Sequence, residues 1–308
     1  MEQHIEQRIT EANRRWPHIT FKRKTRTEAC APCPWCGGDD RFVIFGRGNY
    51  FCRPGTGHCG RKGWIDEEDA QPLTHEEQLA LRVAALERKQ REQDARLRRL
   101  EEMHQCTDHL RYHQALTDQQ REYWFGEGIF DDAITKHLLG YCERCPTFPA
   151  SPSHTIPVFD HDGRLANIRH RLIEPDRSGK YRPHRAGLGT HLFNASILRQ
   201  AQQRILVVEG SKKAIVLDQY GWPTVGILGK NVFQREWLPW FKSASQVVIA
   251  LDPDAAESAQ RLGAVFAQHG QHPDVRVAAF PGKPDDLIVK YGATDSDVEA
   301  ILRLARPV

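Results

Sequence analysis

The sequence predicts a multidomain protein of the α/β (α+β) class, in which a small cysteine-rich module and a charged helical linker precede a larger part ending in a mainly parallel sheet. Three observations carry this. Cys33, Cys36, Cys52 and Cys59 cluster in the first 66 residues. Residues 78–103 contain neither Gly nor Pro and are mostly Glu, Arg, Leu, Ala and Gln, the composition of a long helix. From residue 201, β-rich runs at 205–208, 224–227, 247–251 and 275–280 alternate with helical patterns at 211–220, 234–242 and 255–269, which implies βαβ units. The expected boundaries are 1–66, 67–104, 105–200 and 201–308.

The first module reads as a helix over 5–16, then strands at 41–45 and 49–52. Cys33-Pro-Trp-Cys36 has the two-residue spacing that aims two thiolates at one ion, and the six residues between Cys52 and Cys59 include a Pro and two Gly that permit a tight excursion. Four thiolates close a tetrahedral structural zinc site with no open position for chemistry. His58 in place of Cys59, and Cys30 through its own two-residue spacing to Cys33, stay open as alternatives. The chain has 308 residues, and 43 Lys+Arg against 40 Asp+Glu leave a net charge of +3. Residues 1–65 hold 12 basic and 6 acidic residues, so the basic excess sits with the cysteines and points to a nucleic-acid contact. Neither an export signal nor a run of about 18 apolar residues is present, so a cytoplasmic protein with reduced thiols and no membrane partner is expected. Cys142 and Cys145 repeat the two-residue spacing without a nearby partner pair and read as ordinary buried thiols.

In the linker a heptad seam runs through Leu79, Val83, Leu86, Gln90, Gln93, Leu97 and Leu100. Its two consecutive polar positions favour a solvated helix over a coiled-coil dimer. Residues 105–200 are mixed, with helical patterns over 117–138 and strands at 155–159 and 165–173. Beyond them, three apolar strands end in carboxylates: Glu209-Gly210, Asp252-Pro-Asp254, and Asp285-Asp286 after the third. In a parallel sheet the residues just past the strand ends share one edge, where ligands bind. Carboxylates gathered there repel one another unless a hard cation neutralises them, and magnesium suits such a site. Asp254 is also placed to cap the helix expected from 255.

These motifs resemble a known family. Cys33-Pro-Trp-Cys36-Gly-Gly-Asp-Asp-Arg-Phe, with Tyr50-Phe51-Cys52 and Cys59-Gly-Arg-Lys-Gly-Trp64, resembles the zinc ribbon of bacterial, phage and plasmid primases, although the family usually closes with a two-residue second spacing. Residues 204–291 resemble the Rossmann-like Toprim domain shared by DnaG-type primases, topoisomerases and certain nucleases, with Glu209 and Asp252-Pro-Asp254 as its acidic motifs. Lys213 stands where primases often carry an Asp, and the third acidic motif is one residue shorter than usual. Residues 155–193 are similar to the basic half of the primase core, a stretch topoisomerases and Toprim nucleases are not expected to have.

The resemblance implies a DNA primase that joins nucleoside triphosphates on a single-stranded DNA template. Its catalytic residues would be Glu209, Asp252, Asp254, Arg171 and Lys180, with magnesium or manganese on Glu209, Asp252, Asp254 and Asp285 and zinc on Cys33, Cys36, Cys52 and Cys59. Template would meet Arg41, Tyr50, Arg61, Lys62 and Trp64 in the ribbon, together with Phe45, and Arg164, Arg169 and Arg171 in the core. Phe42 and Phe51 are expected in the ribbon's own core, and Arg177 and Arg182 in solvated loop. The resemblance ends with the core, which leads us to expect a phage, plasmid or mobile-element protein working with a separate helicase. A template-binding replication or defence accessory, in which the altered acidic residues no longer support synthesis, and a Toprim nuclease are the other two expectations.

Overall fold

A computed structural model describes residues 2–55, 57–66, 75–145, 151–176, 179–229, 232–270 and 274–308. Residues 67–74 of the expected linker and Arg177 lie outside the described residues. The chain forms two compact units, 1–95 and 96–308.

In the first unit α1 (Glu2–Arg15) precedes an antiparallel sheet of β1 (Lys22–Arg23), β2 (Glu28–Ala31), β3 (Phe42–Phe45), β4 (Asn49–Cys52) and β5 (Lys62–Trp64), paired in that order. Period-two alternation sends Phe42, Ile44, Tyr50 and Cys52 to one face, where they pack with Ile5, Ala12 and Trp16. Trp16 meets Phe42 edge-on at 4.8 Å, and Trp35 stacks on Tyr50 at 5.4 Å. So small a core depends on these aromatic contacts and on the cysteine cluster beside them.

The long helix α2 (His75–His104) matches its Gly- and Pro-free sequence. Leu79, Val83, Leu86 and Leu97 on its seam are each about half exposed, as in a solvated helix. No helix among the described residues is long and apolar enough to cross a membrane.

In the second unit α3 (Asp108–Gln114), α4 (Asp118–Gly126) and α5 (Asp131–Lys136) lead into an antiparallel sheet of β6 (Gly140–Cys142), β7 (Ser153–Phe159), β8 (Leu165–Asp176) and β9 (Gly179–Pro183). The strands β10 (Gln202–Glu209), β11 (Thr224–Ile227), β12 (Ala244–Ile249), β13 (Val275–Val277) and β14 (Arg306–Pro307) form the other sheet, in the order β11-β10-β12-β13-β14. All its pairings are parallel except β13 with β14. Helices α6 (Ser211–Gln219), α7 (Ala256–His269), α8 (Pro284–Val289) and α9 (Asp295–Arg303) complete the unit. The interior strand β10 is buried on both faces: Ile205 and Val207 pack with Trp237, Phe241 and Phe266, whereas Leu206 and Val208 pack with Ala214, Ile215 and Trp124.

The helix expected at 234–242 is instead a 3₁₀ segment, Arg235–Ser243, with Pro239 inside it. Proline removes an N–H and crowds the preceding turn, so a regular α-helix does not run through Pro239. The strand expected at 275–280 stops at Val277.

Gly226 lies where β11 passes the turn carrying Glu209, and a Cβ there would sit 2.6 Å from the Gly210 carbonyl oxygen. Gly226→Ala is therefore expected to cost about 1–3 kcal/mol, as overpacking does. The check is a lowered urea midpoint at unchanged slope.

Candidate functional site

The cysteine centre of the first unit is assembled by two turns. Cys33 and Cys36 follow β2, where Gly37 and Gly38 adopt φ of +68° and +93° and the Gly37 N–H donates to the Cys33 carbonyl at 3.0 Å. Cys52 ends β4, and Cys59 returns on the loop, whose Gly57 and Gly60 also have positive φ. The sulfurs of Cys33 and Cys59 lie 3.7 Å apart and those of Cys36 and Cys52 3.5 Å apart, with all four mutually within 4.8 Å. Tetrahedral thiolates about 2.3 Å from zinc stand about 3.8 Å from one another, so the set fits structural zinc. The longer second spacing is absorbed by the loop, and Cys59 is the fourth member. His58 turns away, its Nδ1 2.9 Å from the Gly55 carbonyl, and Cys30 is buried outside the cluster.

The proposed template face is only partly available. Tyr50 is buried in the aromatic core, so it offers no stacking surface; alternation on β4 sends it to the α1 side. Phe51, expected in the core, points the other way and stacks on Phe45 at 5.8 Å with nearly parallel rings. Strand register sets Phe51 beside Lys62 and Asn49 beside Trp64, and Lys62 and Trp64 are exposed. Arg61 covers the Trp35 ring at 5.3 Å, and the Arg41 side chain lies over Gly38 and Gly55. Half-buried Phe45 and Phe51, with exposed Lys62 and Trp64, therefore make the aromatic and basic face.

In the second unit Glu209 ends β10, Asp252 and Asp254 follow β12, and Asp285 lies in the first turn of α8, all on the edge expected. Ligand-type side chains converge within 4.8 Å in three groups among the described residues, and these four carboxylates are in none of them. Lysines reach two of them instead. Lys213 Nζ lies 3.1 Å from Asp252 Oδ1 and donates to the Glu209 carbonyl oxygen at 3.1 Å. Lys212 Nζ lies 2.6 Å from Glu127 Oε2 and 2.9 Å from Asp285 Oδ2. Asp285 is 2% exposed, and its other oxygen is buried without a hydrogen-bond partner. Hard oxygens are the donors a magnesium-type cation takes, but these four do not converge on one point. Asp254 is exposed and does not cap α7, whose N-cap is Ala255.

The basic strand faces this edge. Arg169 donates to Ser211 Oγ, at the start of α6, at 3.1 Å and lies over the Tyr181 ring at 4.2 Å. Burial pushes its pKa down from the usual arginine value. Arg171 lies 3.5 Å from Glu127 and 5.0 Å from the Tyr123 ring centroid, and Tyr123 stacks on His154 at 3.7 Å. Lys180 is exposed on β9. Arg164 is engaged in its own turn, 3.2 Å from Asp160 and 3.5 Å from Asp162. Arg182, expected in solvent, is buried and donates to the Tyr181 carbonyl, because the register on β9 sets it beside fully buried His170. Glu127 joins Arg171 to Lys212; it follows a plain helix end, and no motif marks it in the sequence.

Burial acts to raise the Glu127 carboxyl, but the hydrogen bond and charge of Lys212, with Arg171, override it and hold the pKa below the ordinary value. Burial, reinforced by the Arg171 charge, drops His154 to about 4, so it is neutral at pH 7. Both shifts have the same sign in linkage. On acidification the unfolded chain takes up these protons before the folded one, so their stabilisation is lost as pH falls below about 6.5 for His154 and below about 4.3 for Glu127. Melting temperature should fall over that range, and Glu127→Gln should flatten its lower part. In metal analysis, Cys33→Ser with Cys36→Ser should release the zinc of the first unit, whereas His58→Ala should keep it.

No protein-family model matches the sequence, and no curated protein sequence matches it. Solved structures do. One is the Aquifex aeolicus primase, zinc-binding and RNA polymerase domains, with a TM-score of 0.55 at 16% identity over 100% of this chain and 87% of that one. Another is a DnaG primase catalytic domain bound to single-stranded DNA, with a TM-score of 0.56 at 19% identity over 70% of this chain and 83% of that one. The E. coli primase catalytic core gives 0.53 at 19% identity over 65% and 78%. A cysteine-ligated module, an antiparallel basic sheet and a mainly parallel sheet with acidic strand ends thus give this chain the fold of the zinc-binding and catalytic domains of DnaG-type primases.

Proposed function

We propose that this protein is a DNA primase, a nucleotidyltransferase that makes short primers on single-stranded DNA. The observation that carries the reading is the approach of the basic strand to the acidic turn: Arg169 on β8 bonds Ser211, two residues beyond Glu209. Linking nucleotides is phosphoryl transfer, where catalysis is positioning and charge stabilisation. Arg169 and Arg171 would hold template or nucleotide phosphates, with Lys180 beside them. Magnesium or manganese on Glu209, Asp252, Asp254 and Asp285 would supply neutralisation of the triphosphate. Phe45, Phe51, Lys62 and Trp64 would stack on and hold template. Nucleoside triphosphates and a separate helicase, in a phage-, plasmid- or mobile-element-encoded cytoplasmic setting, complete this reading.

One observation favours a second reading, a template-binding protein that no longer synthesises. Lys213 sits against Asp252, neutralising a carboxylate that a metal would need. Primer synthesis from labelled ribonucleotides on single-stranded DNA separates the two: product chains for a primase, bound but uncopied template for the accessory. In the primase, Glu209→Gln should reduce synthesis at least 100-fold, about 2.7 kcal/mol of transition-state stabilisation, while template binding persists. Arg171→Ala and Lys180→Ala should each lower synthesis and the salt dependence of binding. A folded Glu209→Gln protein with wild-type synthesis would refute the assignment. In the accessory, Lys213→Asp is the change expected to create synthesis where the parent has none.

A further inference from the structure

We propose that the second unit carries a zinc site of its own, formed by Cys142, Cys145, His170 and His184. The sulfur of Cys145 lies 3.7 Å from His170 Nε2, and that nitrogen lies 3.1 Å from His184 Nδ1. The three ligand atoms are mutually within 4.8 Å. Tetrahedral zinc, with bonds of about 2.0 Å to nitrogen and 2.3 Å to sulfur, sets such neighbours about 3.3–3.6 Å apart. Cys145 and His170 are fully buried, and Cys142 and His184 are at most 5% exposed. Cys142 lies across the two-residue turn from Cys145 and shares its buried cluster. Its sulfur stands outside the three-atom set, and ligation requires it to turn inward.

The outward nitrogens support the same assignment. Ser153 Oγ lies 2.9 Å from His170 Nδ1, and Asp108 Oδ2 lies 3.3 Å from His184 Nε2. A carboxylate or hydroxyl accepting the outer N–H leaves the inner nitrogen with its lone pair toward the cluster, the tautomer a metal ligand needs. Met103, Tyr112, Leu165, Ile168 and Leu188 form a dry wall around the cysteines. Two imidazoles are costly occupants for so apolar a place unless their inner nitrogens are bound, whereas the thiols beside them are at home there. The neighbouring trio of Cys106, Asp108 and His184 is more open, and Asp108 there already pairs with Arg111 at 2.9 Å. Asp108 is thus the orienting group.

The site bears on function through alternation along β8. His170 points to the cluster, while Arg169 and Arg171 on either side of it point to the opposite face, toward Ser211 and Glu127. Zinc would join the turn after β6, the middle of β8 and the end of β9, and so hold in register the strand that presents both arginines.

Elemental analysis of the full chain tests this directly. The expected result is two zinc ions per chain, with one remaining in Cys33→Ser/Cys36→Ser and one in Cys145→Ser/His170→Gln. Since the second double variant removes core groups and can fail to fold, cobalt substitution of the unmutated chain and of Cys33→Ser/Cys36→Ser gives an independent reading. The latter should keep one tetrahedral cobalt with the weaker charge-transfer bands of a two-sulfur site. One zinc per unmutated chain with none in Cys33→Ser/Cys36→Ser would overturn the proposal. It would leave Ser153, His170, His184 and Asp108 as a buried hydrogen-bonded chain. Two zinc ions retained by a folded Cys145→Ser/His170→Gln protein would overturn it equally.

Discussion

The second unit depends on the ammonium of Lys212. It lies against both Glu127, just beyond α4, and Asp285 in α8, and Glu127 also meets Arg171 on β8. One cation on α6 therefore ties the helical lead-in, the basic sheet and the acidic edge of the parallel sheet to a single arrangement. Burial acts to lower the lysine pKa, yet its two carboxylates raise it above the ordinary value. Such a pair adds little net stability, because desolvation cancels much of the attraction. Its value lies in geometry, since removing one partner leaves a buried charge uncompensated.

That arrangement decides where the basic residues can act. Arg169 and Arg171 are not mobile surface charges: each lies over a tyrosine ring and meets a polar group from another element. Planar guanidinium groups suit such stacked positions. The first unit works on another principle. Its sheet is too small to hold itself by apolar burial, so four sulfurs and a cluster of rings carry the fold, and the opposite sheet face is released for Phe45, Phe51, Lys62 and Trp64.

Both departures from the familiar acidic pattern acquire a physical meaning. Lys213, in place of an expected carboxylate, meets Asp252 and the Glu209 carbonyl. Asp285 of the shortened third motif is buried, with Lys212 on one oxygen. Two of the four carboxylates on the acidic edge, Asp252 and Asp285, are thus charge-compensated from within the chain, which is the property separating the two functional readings.

Much of this was legible in the sequence because it rests on local periodicity and spacing. The Gly- and Pro-free run is helix α2, the alternation after 201 is the mainly parallel sheet, and the turn spacing of Cys33 and Cys36 leads to the four-sulfur cluster. Tyr50 and Phe51 exchange the places their sequence suggests, because a four-residue strand with apolar residues on both faces does not reveal which face is covered. The burial of Arg182 and the ion pairs of Glu127 are not legible in the sequence, because burial and ion pairing over long separations leave no local trace. Cys142 and Cys145 had no visible partners, since His170 and His184 reach them only after β8 and β9 fold back. The sequence by itself determined the elements and the residues that end each strand, because 2.0- and 3.6-residue periods and turn chemistry act between near neighbours. Only the tertiary structure decided which charges meet, which ring is exposed and which nitrogens join the second pair of cysteines, because those contacts depend on register and packing between distant segments.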